Sequence, residues 1–390
     1  MTGARSFLRE ADWLTPARVR AYAIMVAIMA LVLLGFAYMQ AMGKAGSDFL
    51  AFWGAGRAVL SGNPAGAYDL ALQERLQTAT GSEGWFAFVN PPPFLFAATP
   101  FALMPFSLAW WAWVGVTWAL WAFIAIRMFP RLWLLVIAFP GGLIAATHAQ
   151  TGLLVSALLM GAVHWLDRRP AGSGLAIGAL VIKPHFAVLI PFWLAAGRRW
   201  RGFGWATVAL LSIIAATGLV FGAETLRAYP ESWRASEALL KDVNADFQLR
   251  MASFYAQARL YLAEPIALLI AAASGVLALI ASVLAWRRFD DDARAAGAVL
   301  LSATALASPY LFNYDLPFLI VPLLYLVERG LADGFRRYEK LLLVALWLAP
   351  YATRAFAFPL GFNGMPVASL ALLALVWTRA RRGAAAAKTN

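Results

Sequence analysis

Residues 21–40 read AYAIMVAIMALVLLGFAYMQ, a run with no charged side chain. As a helix rising about 1.5 Å per residue it is about 30 Å long, the thickness of a bilayer's hydrocarbon core. Arg5, Arg9, Arg18 and Arg20 precede it, and the polar stretch MGKAGSDFLAFWGAGRAVLSGNPAGAY (42–68) follows. The h-region of a secretory signal is shorter than this, so the run reads as an uncleaved first transmembrane helix. The rest of the chain agrees. Of its 390 residues 62% are hydrophobic and 13% charged, more apolar surface than a soluble interior can hide.

The net charge of +12 does not point to nucleic acid, because the basic residues do not form one polar face. They sit in short clusters between apolar segments: Arg127 and Arg131; Arg168 and Arg169; Arg198, Arg199 and Arg201; Arg287 and Arg288; Arg329, Arg336, Arg337 and Lys340; Arg379, Arg381 and Arg382. That alternation is the positive-inside pattern of a multi-pass protein. With no cysteine, disulfides, thiolate metal sites and thiol nucleophiles are excluded.

Further apolar segments fall at about 91–105, 107–126, 132–147, 151–166, 171–183, 184–197, 203–222, 263–286, 294–309, 316–328, 339–356 and 365–379. Each reads as helical, since lipid offers the backbone no hydrogen-bond partners. Placing both termini on the basic side requires an even number of crossings, so about twelve are expected, with one of the segments between 91 and 166, first of all the proline-bounded 91–105, re-entrant. The stretches 41–90 and 223–262 lack basic clusters and are expected to be the two large outer, periplasmic loops. Residues 1–382 read as one integral-membrane domain and 383–390 as a disordered tail.

Two local patterns refine this picture. Ser47 or Asp48 can cap a helix running to about Ser61, and a second amphipathic helix is expected at about 67–79; both read as interfacial. The pair 171–183 and 184–197, between two basic clusters, reads as a hairpin whose arms are too short to cross. Its tip, VIKPHF (181–186), is then placed within the membrane's thickness or in a water-filled cavity open to the outer side.

Five polar breaks are expected on the outer side: Asp48 with Arg57, VNPPPF (89–94), THAQTG (147–152), IKPHF (182–186) and SPYLFNYDLP (308–317). One polar break is usually a loop; five on one side suggest a shared site. Asp48 can cap its helix, act as a base, or both. Lys183 at membrane depth either snorkels or meets a phosphate. His148 reads first as a helix-end residue, whereas His185, beside Lys183, reads as functional. Gln150 reads as a polar contact, and Asp315 as the cap of the helix at 316–328. Tyr229, Trp233, Arg234, Gln248, Arg250 and Tyr255 in the loop 223–262 could cover the site.

SDFLAFWGAGRAVLSGNPAGAYD, NPPPFLFAATPFALMP, HAQTGLL and AGSGLAIGALVIKPHFAVLIPFWLAAGRRWR, in this order and spacing, resemble glycosyltransferase family 87. The resemblance covers roughly 40–260, with an echo at 308–317. Asn90-Pro91-Pro92 stands where the family usually has Tyr-Pro-Pro, and Ala149-Gln150 where it usually has Gly-Gln. The resemblance implies an all-α polytopic GT-C fold and a polyprenyl-phosphate-mannose-dependent mannosyltransferase type of activity. It implies inverting transfer of a sugar from a lipid phosphate to a hydroxyl of a glycolipid or glycan acceptor, on the periplasmic face of a bacterial inner membrane. Asp48 is then the general base. Lys183, His185, Arg57 and Arg250 are the cations available to the leaving phosphate, with Gln150 and His148 as further substrate contacts.

No cofactor is expected beyond the lipid-linked donor. Leu50, not a second acid, follows two residues after Asp48, and the three histidines have no ligand-like spacing, so no catalytic metal is expected. Asp290, Asp291 and Asp292 read as a solvated charge cluster. The chain is expected to work as a monomer amid membrane lipids. A carrier of lipid-linked sugars is the alternative, but it predicts an internal repeat with matching broken helices, and the sequence has none.

Overall fold

The computed structural model describes residues 7–233, 245–289 and 292–387. Arg5, Arg234, Asp290 and Asp291 lie outside these. The described residues are helical, joined by turns, with one isolated bridge between Met251 and Phe312. In chain order the helices are α1 (Pro16–Ala41), α2 (Phe49–Leu60), α3 (Leu70–Thr78), α4 (Leu95–Ala102), α5 (Phe106–Met128), α6 (Trp133–Ile137), α7 (Pro140–Thr147), α8 (Gly152–His164), α9 (Pro170–Ala179), α10 (Ile190–Ala196) and α11 (Trp200–Phe221). There follow α12 (Ala223–Ala228), α13 (Ala245–Arg250), α14 (Phe254–Arg259), α15 (Glu264–Arg288), α16 (Ala293–Ala307), α17 (Ile320–Asp333), α18 (Glu339–Leu360) and α19 (Met365–Ala387).

Five of the described helices, α1, α5, α11, α15 and α18, are long and apolar enough to cross a membrane, and the bent pair α6–α7 makes a sixth if it is one span. This is fewer than the twelve crossings expected. The reason is length: five other apolar helical stretches, Phe49–Leu60, Gly152–His164, Pro170–Ile182, Pro184–Ala196 and Ala293–Ala307, have only 10–17 residues, and 13 residues of helix extend about 20 Å against a core of about 30 Å. The proline-bounded 91–105 forms only a turn and the short α4, packed on α2. The last helix continues to Ala387, into the segment read as a disordered tail, as alanine's helix propensity favours.

The helix α2 differs from expectation in its surroundings. α2 is not a helix lying bare on one face: Phe49, Leu50, Ala51, Phe52, Ala55 and Ala58 are all buried. Phe49 stacks on Phe106 and Trp113 at 5.9 and 5.8 Å, and Phe52 meets Phe94 edge-on at 4.8 Å. Such pairs contribute about 0.5–1.5 kcal/mol each beyond area burial. Gly56 lets the helix approach α4, since a Cβ there would come within 2.6 Å of the Ala102 methyl. Two buried glutamines finish the job: Gln77 bonds both the amide and the carbonyl of Phe86 at 2.8 Å, and Gln73 donates to Gly66 O. Thus the acid at the head of α2 is carried on a rigid element.

The bundle has two unlike ends. Arg127, Arg168 and Arg294, from α5, the α8–α9 turn and α16, surround a cleft of about 300 Å³. Arg199 bonds Asp167 at 2.8 Å, and Lys340 reaches Asp12 at 3.1 Å. From this basic end α8 runs back to Gly152 and α16 runs forward to Ala307, both at the polar end. The Arg199–Asp167 contact closes the base of the hairpin α9–α10. The tip, at Lys183-Pro184, lies at the polar end too, where the helix breaks into two short 3-10 turns.

Candidate active site

Asp48 occupies the N-cap position of α2, yet its side chain makes no capping hydrogen bond. Its Oδ2 accepts instead from Gln150 Nε2 at 2.8 Å. Its other oxygen accepts no hydrogen bond from the described residues, and the side chain is only half-buried. Capping, the ordinary use of an acid here, is therefore not what Asp48 does.

Gln150 is aimed by a tight turn between α7 and α8. Ala149 adopts φ +47°, a left-handed conformation that suits glycine and strains alanine. Gln150 Oε1 accepts from Thr151 N at 3.3 Å, which fixes the amide's orientation. At the same turn His148 Nδ1 sits 2.8 Å from Ile144 O, the local helix-end contact expected for it, and its ring lies 5.4 Å from that of Tyr314. The Phe312 ring lies 5.2 Å from that of Tyr310 and 4.9 Å from that of Tyr314, so these tyrosines, His148 and, through Gln150, Asp48 share one locality.

The hairpin tip joins from the other side. Lys183, 9% exposed, forms an ion pair with the fully buried Asp315 and donates to Thr151 Oγ1 at 3.4 Å. Lys183 therefore neither snorkels nor stands free. Asp315 does not cap the following helix: its Oδ2 accepts from Phe312 N at 3.1 Å, closing its own turn, while Oδ1 holds the lysine. A buried pair of this kind survives because each charge is matched and hydrogen-bonded. His185 lies beside it, 6.1 Å from the Tyr310 ring, with a buried Nε2 that has no hydrogen-bond partner among the described residues.

The segment 308–317 is pinned on several sides. Gly152 lets it ride over the start of α8, because a Cβ there would fall 1.8 Å from Tyr314 O. Trp121 Nε1 donates to Pro317 O at 3.2 Å. The loop 245–260 folds onto it through Ala252 N to Leu311 O, 2.6 Å, and Ser253 Oγ to Pro309 O, 2.5 Å. Asn313 and Asn363 bond each other at 2.8 Å, and Gln257 Oε1 accepts from Asn363 N at 2.8 Å. The fifth polar break joins through packing: the turn Pro92–Phe94 touches Leu180–Ile182, and Asn90 O accepts from Tyr68 at 2.8 Å.

The structure thus gathers Asp48, Gln150, His148, Lys183 and His185, with Arg250 at the rim. Arg57 is not among them. It lies exposed at the far end of α2, against the Trp53 ring. Of the loop residues expected as a cover, Gln248 and Tyr255 are buried in the loop's own packing, and Tyr229 sits between Tyr68 and Trp233. Sequence reasoning missed Thr151, Tyr310, Tyr314 and Arg354. Arg354 had a readable signal, a lone arginine inside an apolar run. Among the described residues no three His, Cys, Asp or Glu side chains converge in a way that could hold a metal ion.

A sequence model of glycosyltransferase family 87 matches residues 88–309, more than half the chain. The chain belongs to glycosyltransferase family 87. It is a membrane glycosyltransferase by that membership, and its long apolar helices fit a multi-pass protein. No curated protein and no solved structure matches it. Within this family 87 chain the matched region holds Gln150, Lys183, His185 and Arg250 but not Asp48, Asp315 or Arg354. The site is completed by elements on both sides of the matched segment.

Proposed function

We propose that this family 87 protein moves a hexose, with mannose the first candidate, from a polyprenyl-phosphate sugar to a hydroxyl of a glycolipid or glycan. Transfer takes place on the periplasmic face of a bacterial inner membrane, with inversion and without a metal. The basic end then faces the cytoplasm, and the short helices, meeting end to end within the bilayer, bring the crossings of a GT-C arrangement to about twelve. The observation that carries the reading is the state of Asp48: uncapped, held at one oxygen by Gln150, with its other oxygen available.

The chemistry follows from that arrangement. Asp48 accepts the proton of the acceptor hydroxyl as its oxygen bonds to the anomeric carbon. The bond from that carbon to the phosphate oxygen breaks, and its electron pair leaves with the polyprenyl phosphate. Attack opposite the leaving group inverts the centre. Cations near the developing phosphate charge lower the barrier. Lys183 is already committed to Asp315, so its contribution is to hold the 308–317 segment against the turn that bears Gln150.

The test is transfer of labelled sugar from a panel of synthetic polyprenyl-phosphate hexoses to a membrane lipid extract, with the new linkage's configuration read by NMR. Transfer from one donor with inversion supports the reading. Transbilayer movement of the donor with no transfer supports a lipid-linked sugar carrier and overturns it.

A further inference from the structure

The site's two carboxylates are both engaged, Asp48 by Gln150 and Asp315 by Lys183. Two of its cations are not. Arg250, at the end of α13, and Arg354, on α18, lie against the same aromatic ring: their guanidinium carbons are 6.0 and 4.9 Å from the centroid of Phe358. Neither forms an ion pair with a carboxylate among the described residues. Arg250 precedes Met251, which bridges to Phe312, and Arg354 follows Thr353, whose hydroxyl accepts from Asn313 Nδ2 at 2.9 Å, so both flank the 308–317 segment. Arg354 is half-buried on an apolar helix.

Two like charges on one ring repel, and partial burial raises the cost. An anion between them removes it. An aromatic face against a guanidinium holds the plane and leaves its edge donors free, and such forks match phosphate oxygens two at a time. We propose that Arg250 and Arg354 form a phosphate clamp, and that its ligand is the phosphate of a polyprenyl lipid at the mouth of the site. The assignment rests on the transfer reading above, since a donor carrying phosphate supplies the anion. It gives the leaving group's charge to two arginines drawn from separate segments, rather than to Lys183.

The test uses the full chain in nanodiscs of neutral phosphatidylcholine, with a short-chain polyprenyl monophosphate, the matching uncharged polyprenol and inorganic phosphate as probes. Arg250→Gln and Arg354→Gln should each weaken binding of the monophosphate by about tenfold or more, the loss of one charge-assisted contact. The double variant should add little beyond the stronger single one. Arg354→Lys should restore part of the affinity. Polyprenol should bind all variants alike, which also shows that they are folded. Monophosphate affinity unchanged in both Gln variants overturns the clamp. Inorganic phosphate binding as tightly as the lipid monophosphate overturns the lipid assignment. Sugar transfer at the wild-type rate in Arg354→Gln sinks the clamp and leaves the transfer reading intact. Phosphate binding that depends on both arginines, with no transfer from any donor, leaves the clamp and sinks the transfer reading.

Discussion

Gln150 Nε2 donates to Asp48 Oδ2 at 2.8 Å, joining the turn after α7 to the head of α2 across 102 positions of chain. The bond fixes which carboxylate oxygen faces the rest of the site. Gln150→Leu removes the donor and frees the carboxylate to rotate. We expect kcat/KM for sugar transfer to fall about ten- to a hundredfold, the scale of one hydrogen bond to a charged group. Steady-state kinetics with wild type alongside check this; an unchanged value means the bond does not orient the base.

Lys183 and Asp315 form the buried ion pair that ties the hairpin tip to the 308–317 segment. Removing one partner strands a charge in the interior. Lys183→Met or Asp315→Leu should each destabilise by about 3–5 kcal/mol. The double substitution Lys183→Met with Asp315→Leu should cost less than either single one, because no charge is left unpaired. Thermal unfolding of the four proteins in detergent decides it; additive losses would show that the pair is not coupled.

Ala149 carries φ +47° immediately before Gln150. Glycine is at ease there. Ala149→Gly should therefore retain activity and raise stability by up to about 1 kcal/mol, the relief of left-handed strain offset by a floppier unfolded chain. Ala149→Val should lower the unfolding midpoint. A lower midpoint for the glycine variant would contradict the strain.

Gly152 has no room for a side chain, since a Cβ would fall 1.8 Å from Tyr314 O. Gly152→Ala should push the 308–317 turn off the start of α8. We expect stability and transfer to fall together. Full activity at a wild-type unfolding midpoint would mean that the turn relaxes without disturbing the site.

Much of this was legible in the sequence, and what was not has a physical reason. The first span, the short hairpin with Lys183 at its tip and the clustering of basic ends follow from apolar length and charge placement. The meeting of Asp48 with Gln150 was expected only as shared sidedness; the pairing itself depends on the turn at Ala149, whose conformation no periodicity reveals. Asp315 read as a helix cap because an acid before an apolar run usually is one. Its partner lies 132 positions away, beyond any local signal. The amphipathic pattern of α2 does not show that α4 and α5 pack over it, because those contacts come from segments distant in the chain. Arg57 was grouped with the site by loop position, yet it lies at the opposite end of α2 from Asp48, and Arg57→Gln should leave transfer within about twofold, as surface changes usually do.

Asp48 is proposed to take the proton of the acceptor hydroxyl. The most direct test is the rate of labelled sugar transfer from the best polyprenyl-phosphate donor by Asp48→Asn beside wild type, with donor binding measured in both. Asparagine keeps the shape and can still meet Gln150, but it cannot accept the proton. A loss of about 10²–10⁴-fold in kcat with donor affinity retained is the predicted result. Wild-type turnover by Asp48→Asn would contradict it.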